Sequence, residues 1–181
     1  MMKVAMIGHK VVPSRRGGIE NVLTSLCPIL AEMGLDVTCY NRSTDKVENE
    51  YIGTVVNNKY RNVKLKSAWT VGAKGISALL ASFTAAISAT FRNYDIYHFH
   101  AEGPCAMMWI PKLFGKKCVA TIHGLDHQRA KWGKFARTYI MLGEKCAVKY
   151  ADEIIVLSEG VRQYFRDTYG RETVLIPNGV N

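Results

Sequence analysis

Short apolar runs alternate along the chain with stretches in which apolar residues return every three or four positions. The first run, Lys3 to Gly8, reads as a strand entered almost at the N-terminus. Ile19, Val22, Leu23, Leu26 and Leu30 then form a helical stripe over Ile19 to Met33, closed by Gly34. Pro28 inside that stripe predicts a kink, because proline lacks a donor and crowds the preceding turn. Leu35 to Tyr40 is the next strand. A strand, a Gly-rich turn, a helix and a strand open a parallel βαβ unit. Later strands are predicted at Tyr94–His100, Lys117–Ile122, Asp152–Leu157 and Thr173–Ile176, with helices at Pro104–Phe114, at Lys134–Tyr150 and after Ser158, which can cap the last. The fold class is α/β, a doubly wound, mostly parallel Rossmann-like sheet over residues 1–176.

Two segments fit the alternation less directly. Between residues 41 and 73, Tyr51–Val56 and Val63–Lys66 read as short strands around the polar turn Asn57-Asn58-Lys59. From Gly75 to Phe91 the chain runs seventeen residues without a charge. That is slightly short for a membrane span, and Ser77, Ser82, Thr84, Ser88 and Thr90 are spread through it. Ile76, Leu79, Leu80, Phe83, Ile87 and Phe91 share one side at helical spacing, as expected of a helix packed on a sheet.

Composition changes this picture in one respect. A chain of 181 residues with 48% hydrophobic and 22% charged residues suits one ordinary domain. A net charge of +9 is high, and it implies an anionic companion such as phosphate, nucleic acid or an acidic membrane face. The five cysteines, Cys27, Cys39, Cys105, Cys118 and Cys146, contain no CxxC pair and read as free, mostly buried thiols of a reducing compartment. With a strand at the N-terminus and no signal segment before it, the expected localisation is cytoplasmic.

The candidate chemistry gathers at strand ends. His9, His98, His100, His123 and His127 all lie at or just past a predicted carboxyl end. Parallel strands bring those ends to one edge, where open α/β sheets bind ligands. The segment from His123 to Gly133 spends eleven residues on a turn that needs only a few, and contains two His, Asp126, Arg129, Lys131 and a Trp. Arg129 and Lys131 are candidates for a phosphate-bearing acceptor on charge and position alone. Arg16-Gly17-Gly18 precedes the first helix, whose N–H groups and dipole suit a phosphate. The spacing is not the GxGxxG fingerprint, so the pair gains weight only beside the histidine edge.

Arg16-Gly17-Gly18-Ile19-Glu20 resembles the GGxE turn of retaining, GT-B-type glycosyltransferases of the glycosyltransferase 4 family. Tyr97-His98-Phe99-His100 resembles that family's HxH strand. Thr121 to Asp126 with Gln128 to Gly133 is similar to the signature of its rhamnosyltransferase-like, polysaccharide-building subgroup. Ala151 to Ser158 and Ile176-Pro177-Asn178-Gly179-Val180 resemble the later landmarks. His127 stands where that subgroup would have an aromatic such as Trp.

The resemblance implies a nucleotide-sugar donor, a saccharide or lipid-linked acceptor, an anionic membrane surface nearby and no nucleic acid. Transfer would need no cofactor and no metal. Gly17 and Gly18, with Arg16, Glu20, His98, His100 and Asn178, would bind donor diphosphate or substrate. His123 would contact the transferred sugar and Asp126 would shape its loop; these two are the expected catalytic pair. Residues 177–181 would begin the link to a second, donor-binding domain, without which residues 1–181 would transfer little sugar. Two other readings compete: a metal-dependent hydrolase using His98, His100 and His123 with Glu102 or Asp126, and a Rossmann-like module that binds without catalysing.

Overall fold

The computed structural model describes residues 1–73, 75–125 and 133–179. Asp126, His127, Arg129 and Lys131, among the expected site residues, lie outside the described residues. The elements in chain order are β1 (Lys3–Ile7), α1 (Gly18–Glu32), β2 (Asp36–Arg42), α2 (Asn49–Ile52), β3 (Val55–Val56), β4 (Lys59–Tyr60) and β5 (Val63–Ala68). They continue as α3 (Ile76–Thr90), β6 (Ile96–His100), α4 (Glu102–Cys105), α5 (Trp109–Leu113), β7 (Lys117–Ile122), α6 (Lys134–Tyr150), β8 (Glu153–Val156), α7 (Glu159–Tyr169) and β9 (Val174–Leu175).

The strands form one sheet in the order β3-β4-β5-β2-β1-β6-β7-β8-β9. From β5 to β9 every neighbouring pair is parallel, and only the β3–β4–β5 edge is antiparallel. The chain moves outward from β1 through β2 to β5, then returns through α3 to set β6 on the other side of β1. That reversal makes the β1/β6 boundary the topological switch point, where an open sheet leaves a crevice beyond its strand ends. Register puts Met6 opposite His98, Ile7 opposite Phe99, and His100 opposite Thr121.

Each sheet face has its own core, as expected of parallel strands buried on both sides. Val4, Met6, Val37, Cys39 and Val63 pack with Leu23 and Cys27 of α1. Ala5, Ile7, Tyr40, Tyr97, Phe99, Ala120 and Ile154 pack with residues of α3, α6 and α7 on the other face. The cysteines are free, four of them buried and Cys146 half-buried. Ser158 caps α7, its hydroxyl accepting from the Val161 N–H at 3.4 Å, and Gly170 ends that helix with a left-handed φ of 61°.

Four local expectations are corrected. Tyr51 lies in the short helix α2, so the Tyr51–Val56 strand shrinks to β3. The turn into β4 is Asn57-Asn58, with φ of 50° and 56°, the paired positive values a two-residue hairpin needs. The helix expected over Pro104–Phe114 is two short ones, α4 and α5. α1 spans Pro28 as one element, which is compatible with the expected kink.

The fourth correction concerns α3. It packs on β1, β2 and β5, but it buries Ala81, Ser82, Ala85, Ala86 and Ala89 and turns Ile76, Phe83, Ile87 and the adjoining Phe91 outward. The sheet supplies the bulk here through Tyr40, Tyr97 and Phe99. A close-packed layer beneath those rings has room for small side chains only. No described helix is long and apolar enough to cross a membrane.

Candidate functional site

Gly8 ends β1 and decides how closely β1 and β6 approach. Its φ is +113°, and a Cβ there would lie 2.5 Å from the His100 carbonyl oxygen and 2.9 Å from the Pro104 side chain. Only glycine meets both demands. The chain then turns inward at His9, which is 1% exposed.

The proton on His9 can be placed from its neighbours. Asn41 Nδ2 donates to the Val12 carbonyl at 2.8 Å, while Asn41 Oδ1 accepts from the Val12 N–H at 3.0 Å. That pair fixes the amide orientation, so His9 Nε2, 3.0 Å from Oδ1, must be the donor. Nδ1 is then a buried lone pair with no hydrogen-bond partner among the described residues. Burial lowers the His9 pKa from 6.5 to about 4, so the ring is neutral at pH 7.

Three more imidazoles adjoin this corner. His98 and His100, two residues apart on β6, point to the same sheet face, and their rings stack at 4.2 Å with 30° between planes. His98 Nε2 is hydrogen-bonded to Thr121 Oγ1 at 2.7 Å. His100 Nδ1 is 3.3 Å from His123 Nε2. His100 is 1% exposed, and its Nε2 has no hydrogen-bond partner among the described residues. Burial takes the His98 pKa down to about 4, with the nearby His123 adding to the effect. His100 is held well below 6.5 by burial and then by His98, His123 and His9.

His9, His98 and His100 are therefore neutral hydrogen-bonding groups, with His9 and His100 fully buried and His98 half-buried. They are poor proton carriers near neutrality, and the two nitrogens without partners among the described residues, Nδ1 of His9 and Nε2 of His100, are buried. The stacked rings lie side by side, Thr121 engages one nitrogen of His98 and His123 engages one of His100. Among the described residues no group of three His, Cys, Asp or Glu could hold an ion. The hydrolase reading is not favoured.

The GG turn is built beside this corner by Glu20. Glu20, 6% exposed, accepts the Lys10 N–H at 2.8 Å. Its other oxygen lies 1.9 Å from where a Cβ of Gly17 would be, whereas a Cβ on Gly18 would meet nothing within 4 Å. Glu20 thus fastens the β1–α1 loop, and Gly17 is glycine to make room for it. The intrahelical ladder of α1 begins with Asn21 N–H to Gly17 O, and no side chain caps the helix. The N–H groups of its first turn are left without helical acceptors.

Arg16 is exposed and 3.7 Å from Glu48. Glu48 accepts the Ser14 hydroxyl and the Arg15 N–H, and those bonds hold its carboxyl below the usual range. A cavity of about 370 Å³ lies against the turn, lined by Lys10, Ser14, Arg16, Glu20, Thr44 and Glu48 among others. Asn178 is exposed after β9, at the far edge of the sheet.

The structure thus brings together His9, His98, His100 and His123, with Gly17, Gly18, Glu20 and Arg16 around the same β1 end; it leaves Asn178 at the periphery. Gly8, Asn41 and Thr121 are site-building residues that sequence reasoning did not single out. Gly8 alone carried a sequence signal, a glycine at a strand's last position; Asn41 and Thr121 matter through contacts no local pattern encodes.

Residues 16–181 match the profile of Glycosyltransferase Family 4. Among solved structures, sucrose-phosphate synthase from Thermosynechococcus elongatus matches with a TM-score of 0.69 at 18% identity, over 100% of this chain and 49% of that one. The chain therefore spans about half the length of the structure it resembles, and at that identity the likeness is one of fold: the Rossmann-like half of a GT-B architecture. No curated protein matches.

Proposed function

The chain belongs to Glycosyltransferase Family 4, and from that premise we propose that it is the acceptor-side half of a retaining hexosyltransferase. In this reading the whole protein moves a sugar from a nucleotide-sugar donor to a saccharide or lipid-linked saccharide. The rhamnosyltransferase-like stretch from Thr121 supports a place in cell-surface polysaccharide synthesis, at the cytoplasmic face of the membrane. Residues 177–181 lead to a second domain that carries most donor contacts. Residues 1–181 alone then transfer little or no sugar.

The observation that carries the proposal is the meeting of four imidazoles, three of them (His9, His98 and His100) held neutral by burial, with the uncapped GG helix end at the sheet's switch point. The helix end suits the departing diphosphate, whose charge grows during transfer. The imidazoles suit sugar hydroxyls, holding them in place without exchanging protons. A cavity lined by cations and carboxylates together suits a hydroxyl-rich acceptor beside the turn. Asp126, Arg129 and Lys131 complete the acceptor side in this scheme.

The test is His123→Ala in the full-length protein, assayed against a panel of nucleotide sugars. Losing one positioning group should lower kcat by about 10²–10³ with the urea midpoint unchanged. Wild-type rates in that variant remove His123 from the site.

A further inference from the structure

α3 is apolar on both sides. A helix of that kind is normally enclosed by protein or lipid, yet this one buries its alanines and shows its large residues to solvent. Ile76, Phe83, Ile87 and Phe91 line the outer side over a helix about 22 Å long. α5 packs alongside and extends the surface with Trp109, Leu113 and Phe114. Phe91 and Leu113 are 74% and 73% exposed, and the Phe91 and Phe114 rings meet edge to face at 5.5 Å. Trp69 adds another exposed ring, its carbonyl accepting the Thr84 hydroxyl of α3 at 2.8 Å.

The rim of this surface is positive. Lys66 lies close enough to Arg92 and Lys64 that its ammonium is held below the ordinary range, by burial first and then by those two charges. Lys116 and Lys117 follow Phe114. The carboxylates of Asp36 and Asp152 are taken by Lys64 at 2.6 Å and Lys112 at 2.7 Å, and Asp95 accepts the Lys3 N–H at 2.7 Å. Among the described residues no salt bridge neutralises Lys66, Arg92, Lys116 or Lys117.

Apolar and aromatic side chains ringed by cations match the interface of an anionic bilayer, where rings enter the headgroup zone and cations meet lipid phosphates. A rim with cations in excess is less suited to a second copy of the same surface, since like charges across an interface oppose association. We propose that the outer face of α3, continued by α5, is the docking surface for an anionic lipid membrane, with Phe83, Ile87, Phe91 and Phe114 inserted and Lys66, Arg92 and Lys117 at the phosphates. The proposal stands apart from the sugar-transfer reading, because vesicle binding requires neither donor nor acceptor.

The experiment is co-sedimentation of the 181-residue chain with vesicles of phosphatidylcholine alone, or with about 30% phosphatidylglycerol added to supply surface charge. Partitioning should be at least about tenfold stronger on the anionic vesicles and fall with salt. The pair Phe91→Ser and Phe114→Ser, and separately Arg92→Gln with Lys117→Gln, should each weaken it at least about tenfold. All four side chains lie at the surface, so each variant should unfold in one cooperative transition close to that of the wild type, the aromatic pair losing only its own ring contact. Equal binding to both vesicles, binding to neither, or undiminished binding by the aromatic variant overturns the proposal. So does a wild-type dimer in sedimentation equilibrium that the aromatic variant dissociates.

Discussion

Gly17→Ala tests how the β1–α1 loop is held. The added Cβ would sit 1.9 Å from Glu20 Oε2. That oxygen ends a flexible side chain, so the carboxylate can swing away, but it then gives up the Lys10 N–H bond at 2.8 Å. A hydrogen bond to a charged group contributes about 1.5–3 kcal/mol, and Gly17→Ala should cost about that much. Glu20→Ala removes the same bond and should cost a similar amount. Once the carboxylate is gone the clash is gone too, so Gly17→Ala should be close to neutral in the Glu20→Ala background. The double variant should therefore be about 1.5–3 kcal/mol more stable than the sum of the singles predicts. Urea unfolding of all four proteins, read as midpoints with slopes checked for constancy, gives the cycle directly. Gly18→Ala is the control, since its Cβ meets nothing within 4 Å; it should be neutral or stabilising by up to about 1 kcal/mol. Single effects that add to within about 0.5 kcal/mol would refute the reasoning, because independent sites behave that way.

The buried histidines make a pH prediction. Burial lowers His9 and His98 from 6.5 to about 4, so below pH 6.5 the unfolded chain takes up protons that the folded one refuses. Their stabilisation is complete above pH 6.5 and is lost as pH falls toward 4, by up to about 1.4 kcal/mol per pH unit for each ring. Urea midpoints between pH 7 and 5 should fall, with a shallower slope in His9→Asn; a flat profile contradicts neutral burial. Gly8→Ala combines a strained φ of +113° with a contact 2.5 Å from the His100 carbonyl, and should cost about 2–6 kcal/mol from backbone strain and overpacking together. A urea midpoint within error of wild type would show that β1 and β6 separate more easily than their packing indicates.

The alternation of strand and helix was legible in the sequence because each element carries its own period. The convergence of His9, His98, His100 and His123 was legible for a different reason. Parallel strands put their carboxyl ends on one edge whatever the exact boundaries. The direction of α3 was not legible. Its Ile and Phe positions have helical spacing, but so do Ala81, Ala85 and Ala89, and the choice between the two sides was made by Tyr40, Tyr97 and Phe99 on other strands. Glu20 was expected at the substrate; its bond to the Lys10 N–H, which no local pattern encodes, fastens the loop that Gly17 closes. The Asn41 clamp on His9 was hidden because it joins the loop after β1 to β2 through one amide, across 32 residues of sequence.

The insertion of β6 next to β1 has a consequence for biosynthesis. Val4 to Ile7 lie at the centre of the sheet, yet one of their two neighbours begins only at Ile96. Until the ribosome has released that far segment, the growing polypeptide displays Val4-Ala5-Met6-Ile7 with one flank open, a template for stray pairing with other nascent chains. Truncations that stop before Ile96 keep that flank open permanently, and belong among the species most in need of a chaperone.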